Sequence, residues 1–145
     1  MIMEHHVTTA VGAPPEAVWS LFVDVERWPE MIESVSDVRR VDSRPLRVGS
    51  EAIVRQPRLP QARWRVTEME PGHSFLWQTS FPGVTSVGGH TVDADGQGSV
   101  VTLTLRMHGP LARPIFALTH ARSRRYLAME AAGFKRAAEA QSPGS

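Results

Sequence analysis

Hydrophobic and polar residues alternate along much of this chain, and the period of that alternation divides it into elements. Residues 3–11 place His5, Val7, Thr9 and Val11 on one face and read as a strand. Pro14 and Pro15 suit the first turn of a helix, where a missing N–H costs nothing, and Glu16 favours the positive end of the helix dipole. Val18, Leu21, Phe22 and Val25 then fall at helical spacing. Asp24 is placed to cap a second short helix through Trp28 and Met31, because Pro29 disfavours running the first helix on unbroken. Residues 34–42, 50–56, 63–70, 74–80, 85–94 and 99–108 read as six further strands. Turn signals at Glu70-Pro71-Gly72-His73, Phe81-Pro82-Gly83 and Asp95-Gly96-Gln97-Gly98 separate several of them. The last strand alternates most clearly, with Val101, Leu103, Leu105 and Met107 on one side and Thr102, Thr104, Arg106 and His108 on the other.

From residue 111 to 141 the chain is rich in Ala, Arg and Glu, which predicts one long helix. Phe116, His120, Ser123, Leu127, Ala131, Phe134 and Ala138 form a stripe along it. Residues 142–145, Ser-Pro-Gly-Ser, are expected to fray. The remainder, residues 1–141, reads as one α+β domain.

Strand registers bring particular side chains together, because a one-residue slip turns every side chain to the other face. An even loop at Asp95-Gly96 puts His90 and Val92 on the face of Val101 and Leu103. The same argument at Pro71-Gly72 puts Trp64 and Val66 with Phe75 and Trp77. An even loop at Phe81-Pro82-Gly83 sets Trp77 nearly opposite His90. The expected concave face is therefore apolar, with His90 as the ionisable group in its middle. Gly88-Gly89 is the place where a bulge would shift this register.

Composition narrows the function classes. The 145 residues carry a formal net charge of +1, with 41% hydrophobic and 21% charged residues. Nothing in that balance indicates a nucleic-acid partner. No apolar run approaches the length of a membrane span, and the N-terminus lacks the regions of a signal peptide, so a cytoplasmic protein without integral membrane association is expected. Oligomeric state, monomer or dimer, is left open. There is no cysteine, which excludes disulfides and thiolate chemistry. His5 and His6 are adjacent in a strand and point to opposite faces, and His73, His108 and His120 show no ligand spacing, so neither metal nor cofactor is expected.

The order of elements now meets a resemblance. Ala13-Pro14-Pro15-Glu16, Val18-Trp19, Leu21-Phe22, Asp24 and Glu26-Arg27-Trp28-Pro29-Glu30 form the entry. Gly109-Pro110-Leu111, Arg125-Tyr126-Leu127, Met129-Glu130 and Ala132-Gly133-Phe134-Lys135 form the closing helix. Between them lie Gln56-Pro57-Arg58-Leu59-Pro60, the run Trp64–Gln78, Pro82-Gly83-Val84 and His90. Together these resemble the START-like superfamily, also called the polyketide cyclase/dehydrase and lipid-transport group (SRPBCC), in its small stand-alone bacterial members. The resemblance covers about residues 3 to 141. It implies a helix-grip fold, in which a seven-stranded curved antiparallel sheet wraps a long C-terminal helix and two short helices follow the first strand. It also implies a hydrophobic cavity between sheet and helix. Members bind lipids, sterols, polyketides, hormones or quinones, and a minority catalyse cyclisation or dehydration. They share no catalytic signature that transfers to this chain.

The candidate ligand-binding residues are Trp64, Trp77, His90, Leu103, Tyr126 and Phe22. His90 is either a polar anchor, a proton shuttle or a satisfied core histidine. Trp64 and Trp77 either stack on a planar ligand or fill the core. Tyr126 and Glu130, at i and i+4, share a helix face. Glu130 is expected to pair with a surface arginine, and Arg122, Arg124 and Arg125 to be solvated. Val18, Leu21, Phe22 and Trp28 are expected to pack and close one wall. The leading function is binding or transport of a small hydrophobic molecule. The alternative is a cyclase/dehydratase-type enzyme with His90 as its catalyst.

Overall fold

The computed structural model describes residues 3–141; the expected frayed tail lies outside them. Seven strands form one antiparallel sheet: β1 (Met3–Val11), β2 (Asp37–Arg40), β3 (Glu51–Arg55), β4 (Ala62–Glu70), β5 (Ser74–Phe81), β6 (Val84–Asp95) and β7 (Gly98–His108). Their order across the sheet is β1-β7-β6-β5-β4-β3-β2, so the first two strands are its edges. Helix α1 (Pro15–Val23), a 3-10 turn (Val25–Arg27) and α2 (Trp28–Met31) join those two edges, and α3 (Ala112–Gln141) lies against the sheet. This is the helix-grip architecture, and every strand implied by the alternation is present.

The local chemistry of the entry differs in one detail. Asp24 does not cap the next helix with its side chain. Its carbonyl accepts the N–H of Arg27 at 3.0 Å, and its carboxylate lies 3.7 Å from the Arg27 guanidinium. The intervening 3-10 turn is the reason, since it tightens the chain onto i to i+3 bonding before Pro29 opens α2.

Register follows the loops. Asp95 pairs with Gly98, and His90 and Val92 lie opposite Leu103 and Val101. Phe81 pairs with Val84, and no bulge forms at Gly88-Gly89. His90 therefore lies opposite Phe75, while Trp77 lies opposite Gly88 and meets His90 diagonally. The β4–β5 hairpin reaches its register by an unexpected route. Glu70 pairs with Ser74, which leaves an odd loop and would put Val66 on the face away from Trp77. A bulge between Val66 and Glu68 absorbs one residue and returns Val66 to a position opposite Trp77.

The core lies between the sheet and the C-terminal half of α3. Phe22, Phe75 and Phe134 are among its fully buried side chains. Burial of each such ring contributes roughly 1.5–3 kcal/mol. Leu127, Ala131, Phe134 and Ala138 of the helical stripe belong to this core. The stripe does not continue unchanged toward the N-terminal end of α3. Phe116 is half-buried and His120 exposed. There Phe116 and His120 pack on His5 of β1, at ring-centroid distances of 4.5 and 4.8 Å, while the neighbouring face of the helix borders open space.

Gly133 fixes how close α3 comes to the short helices. A Cβ at this position would collide with the carbonyl oxygen of Met31 and come within 3.0 Å of Ile32 Cγ1. The missing side chain lets the end of α2 rest directly on α3, which carries Trp28 over the sheet.

Candidate ligand cavity

Between the sheet and the N-terminal half of α3 lies a cavity of about 350 Å³, mostly apolar in lining. That volume is in the range of small-molecule sites. The β5–β6 hairpin supplies one wall and Trp64 of β4 extends it. Ile115, Thr119, Ser123, Leu127 and Glu130 supply the helix side at spacings of three and four residues. Gln56, Leu59 and Pro60 of the β3–β4 loop close the edge.

Three indoles meet around the inner part. Trp64 and Trp77 have ring centroids 5.5 Å apart at a 33° tilt, and Trp28 meets Trp77 edge-on at 5.2 Å. The Trp28 N–H is already used, donating to the Leu21 carbonyl at 3.0 Å. Neither Trp64 nor Trp77 makes such a bond among the described residues, and both line the cavity.

His90 is held by aromatic rings on several sides. It stacks on Phe75 at 4.4 Å with a 10° interplanar angle. Trp28, Phe22, Trp77 and Phe134 surround it at 5.2, 5.8, 6.0 and 6.4 Å. Its Nε2 lies 3.9 Å from Glu130 Oε1, with the two side chains 4% and 17% exposed. That separation is too long for a hydrogen bond but brings the pair within one small polar atom of closure. Its Nδ1 is buried without a partner. A buried polar nitrogen in that state is costly.

Tyr126 closes the edge of the cavity. Its hydroxyl donates to the Pro57 carbonyl at 2.5 Å, tying α3 to the β3–β4 loop. Its own carbonyl accepts the Ser34 hydroxyl at 3.5 Å.

The candidate residues thus divide. Trp64, Trp77, His90 and Tyr126 line the cavity together. Phe22 and Leu103 are fully buried and stand behind the wall, Phe22 edge-on to His90 and Leu103 opposite it in the sheet. Of the wall residues expected from the entry helices, Trp28 reaches the cavity, while Val18 and Leu21 belong to the core. Among the described residues Glu130 pairs with no arginine. The rotation of α3 turns it inward to His90, a choice that i, i+4 spacing alone leaves open. Thr79, Ser86 and Gly88 of the hairpin wall escaped the sequence reading, although the strand alternation that placed Phe75 and Trp77 would have found them. Among the described residues no group of three histidine or carboxylate side chains is arranged to hold a metal. No helix there is long and apolar enough to cross a membrane.

Residues 4–139 match the sequence profile of the family described as polyketide cyclase/dehydrase and lipid transport. The chain belongs to that family. Among curated relatives of this polyketide cyclase/dehydrase family is the granaticin polyketide synthase bifunctional cyclase/dehydratase of Streptomyces violaceoruber. It is 36% identical over 105 residues, which are 68% of this chain and 32% of that protein. The chain thus matches only about a third of that relative's length. Solved structures agree on the fold. The di-domain ARO/CYC StfQ of the steffimycin biosynthetic pathway aligns over 98% of this chain and 52% of its own, with a TM-score of 0.75 and 13% identity. A norcoclaurine synthase point mutant from Thalictrum, in complex with a transition-state analogue, aligns over 98% and 97% with a TM-score of 0.75 and 14% identity.

Proposed function

We propose that this protein binds one small, flat, mostly apolar molecule bearing oxygen, of the polyketide kind, in the cavity between sheet and α3. The observation that carries this reading is the cavity's division of labour. Its wall is apolar and rich in indoles, while its one close ionisable pair, His90 and Glu130, stands 3.9 Å apart beside them. Indole faces suit a planar ligand, and a few polar groups in an apolar site fix its orientation. A ligand hydroxyl between His90 and Glu130, accepting from the imidazole N–H and donating to the carboxylate, would join two polar groups that the protein leaves apart. The 36% identity to a cyclase/dehydratase supports the polyketide character of the ligand.

The same pair favours a second reading, acid–base catalysis of ring closure. Neutral His90 would take a proton from the carbon between two ketones of a poly-β-ketone. The resulting enolate carbon would attack a further carbonyl, forming a C–C bond, and the imidazolium would return its proton to the new alkoxide. Loss of that hydroxyl with an adjacent hydrogen, as water, would give the unsaturated ring.

His90→Gln separates these readings. Titration with 2,6-dihydroxyanthraquinone, followed by indole fluorescence, should show saturable binding to the native protein. The variant should bind about two- to tenfold more weakly, the range for one lost hydrogen bond. Incubation with a poly-β-ketone thioester mimic tests catalysis. Product above background from the native protein but not from the variant supports the second reading. Binding without product leaves the first.

A further inference from the structure

The β5–β6 hairpin sets out the concave wall as a ladder of cross-strand pairs. From the tip inward these are Phe81 with Val84, Thr79 with Ser86, Trp77 with Gly88, and Phe75 with His90. We infer that the Thr79–Ser86 pair is a second polar station of the cavity, which receives an oxygen at the end of the ligand remote from His90. This inference rests on the binding reading above and adds the length and substitution pattern of the ligand.

The two faces of the same hairpin differ in a telling way. On the outer face, Ser80 and Thr85 are cross-strand partners and their hydroxyls bond each other at 2.9 Å. On the inner face, Thr79 and Ser86 are also direct partners, yet neither hydroxyl bonds the other or any other described group. Nor are these oxygens sealed in the interior. The fully buried side-chain polar atoms left without a partner among the described residues are His5 Nε2, Arg40 Nε and His90 Nδ1. The Thr79 and Ser86 side chains line the cavity, so their free hydrogen-bonding capacity faces its space.

The helix presents a matching level. Ser123 lines the cavity and makes no hydrogen bond among the described residues, whereas Thr119 spends its hydroxyl on the Ile115 carbonyl at 2.7 Å. Ser123 is seven residues before Glu130, roughly 10 Å of helix rise. Thr79 is four residues from Phe75, roughly 13 Å along the strand. The cavity therefore has polar groups at two levels of similar separation on both of its walls.

Between the levels the wall is flat and apolar. A Cβ on Gly88 would lie 3.2 Å from Trp77 Nε1 and 3.5 Å from Trp64 Cζ3, so its absence leaves open the space beside both indoles. The ligand class that meets all three features is an extended conjugated or fused-ring molecule with a hydroxyl or carbonyl at each end. A hydroxyl pair can donate to a carbonyl or accept from a phenol, so both oxygen types fit.

Paired probes test this. The affinities of 2,6-dihydroxyanthraquinone, with oxygen at both ends, and 2-hydroxyanthraquinone, with one terminal hydroxyl, are measured by indole quenching. In the native protein the doubly substituted compound should bind about five- to tenfold more tightly, the worth of one further neutral hydrogen bond. In Thr79→Val/Ser86→Ala the ratio should fall to about one, within the spread expected when that bond is gone. Near-ultraviolet circular dichroism checks that the variant is folded, and Ser86→Ala alone, at a half-buried position, serves if the double variant is not. For that single variant a ratio reduced about twofold or more supports the station. A ratio that keeps its native value in the folded variant overturns it while leaving the binding reading intact. Absence of saturable binding of either compound to the native protein overturns the binding reading, and the station with it.

Discussion

Single residues show how environment sets the behaviour of chemically identical groups. His90 sits in an aromatic enclosure with neither ring nitrogen hydrogen-bonded among the described residues, while two other histidines respond to pH in opposite senses. His5 is buried in β1, stacked on Phe116 at 4.5 Å, and its Nε2 has no partner. Desolvation first, then His120 and Arg124, lower its pKa below 6.5. The unfolded chain therefore takes up this proton before the folded one, and stability falls as pH drops below about 6.5 until the lowered folded value is passed. His73 is the reverse. Its ring nitrogens meet Glu70 at 3.1 Å and Asp93 at 2.9 Å, and those bonds raise its pKa above 6.5. Its contribution is present in full below about 6.5 and is lost as pH rises through the raised folded value. Urea midpoints at pH 5 and pH 8 check both signs. His5→Leu should lose less stability than the native protein on acidification. His73→Gln should show a larger deficit at pH 5 than at pH 8.

Elements show what was legible in the sequence and what was not. Strand alternation and turn residues were enough to place all seven strands, because a sheet with one dry face writes its period into the chain. The same alternation put His90 beside Leu103, since a two-residue loop fixes parity. The Val66–Glu68 bulge was not legible, because nothing in Arg65-Val66-Thr67-Glu68 marks an extra residue until its partner strand is seen. The direction of Glu130 was not legible either. It depends on the rotation of α3, which is set by Leu127, Ala131 and Phe134 packing into the core and by Gly133 meeting α2. That contact yields a prediction. Alanine normally improves a helix interior over glycine by about 0.5–1 kcal/mol. At Gly133 its Cβ would collide with the Met31 carbonyl. Gly133→Ala should therefore destabilise, by roughly 1–3 kcal/mol as for other overpacked contacts. Thermal unfolding checks it, and a raised Tm would show that α2 moves aside without cost.

At the scale of the whole molecule, one sheet performs two tasks along one helix. It closes on the C-terminal half of α3 as a packed core and stands off the N-terminal half to leave a cavity. Lys135 and Glu139 strengthen the closed end. The Lys135 ammonium donates to the Ala10 carbonyl at 2.7 Å, and the Gly12 N–H donates to Glu139 at 2.8 Å. That backbone bond, with the Lys135 bond second, lowers the Glu139 pKa below 4.5. The tie is thus present above about 4.5 and weakens as pH falls through the lowered folded value.

The central claim is that the space at the other end of α3 holds a ligand. Native mass spectrometry of the protein with 2,6-dihydroxyanthraquinone, set beside a folded Gly88→Val variant, tests it most directly. Valine would project into the space bordered by Trp64 and Trp77. The expected result is a one-to-one complex with the native protein that is lost in the variant. No complex with the native protein, or an equal complex with both, would contradict the account.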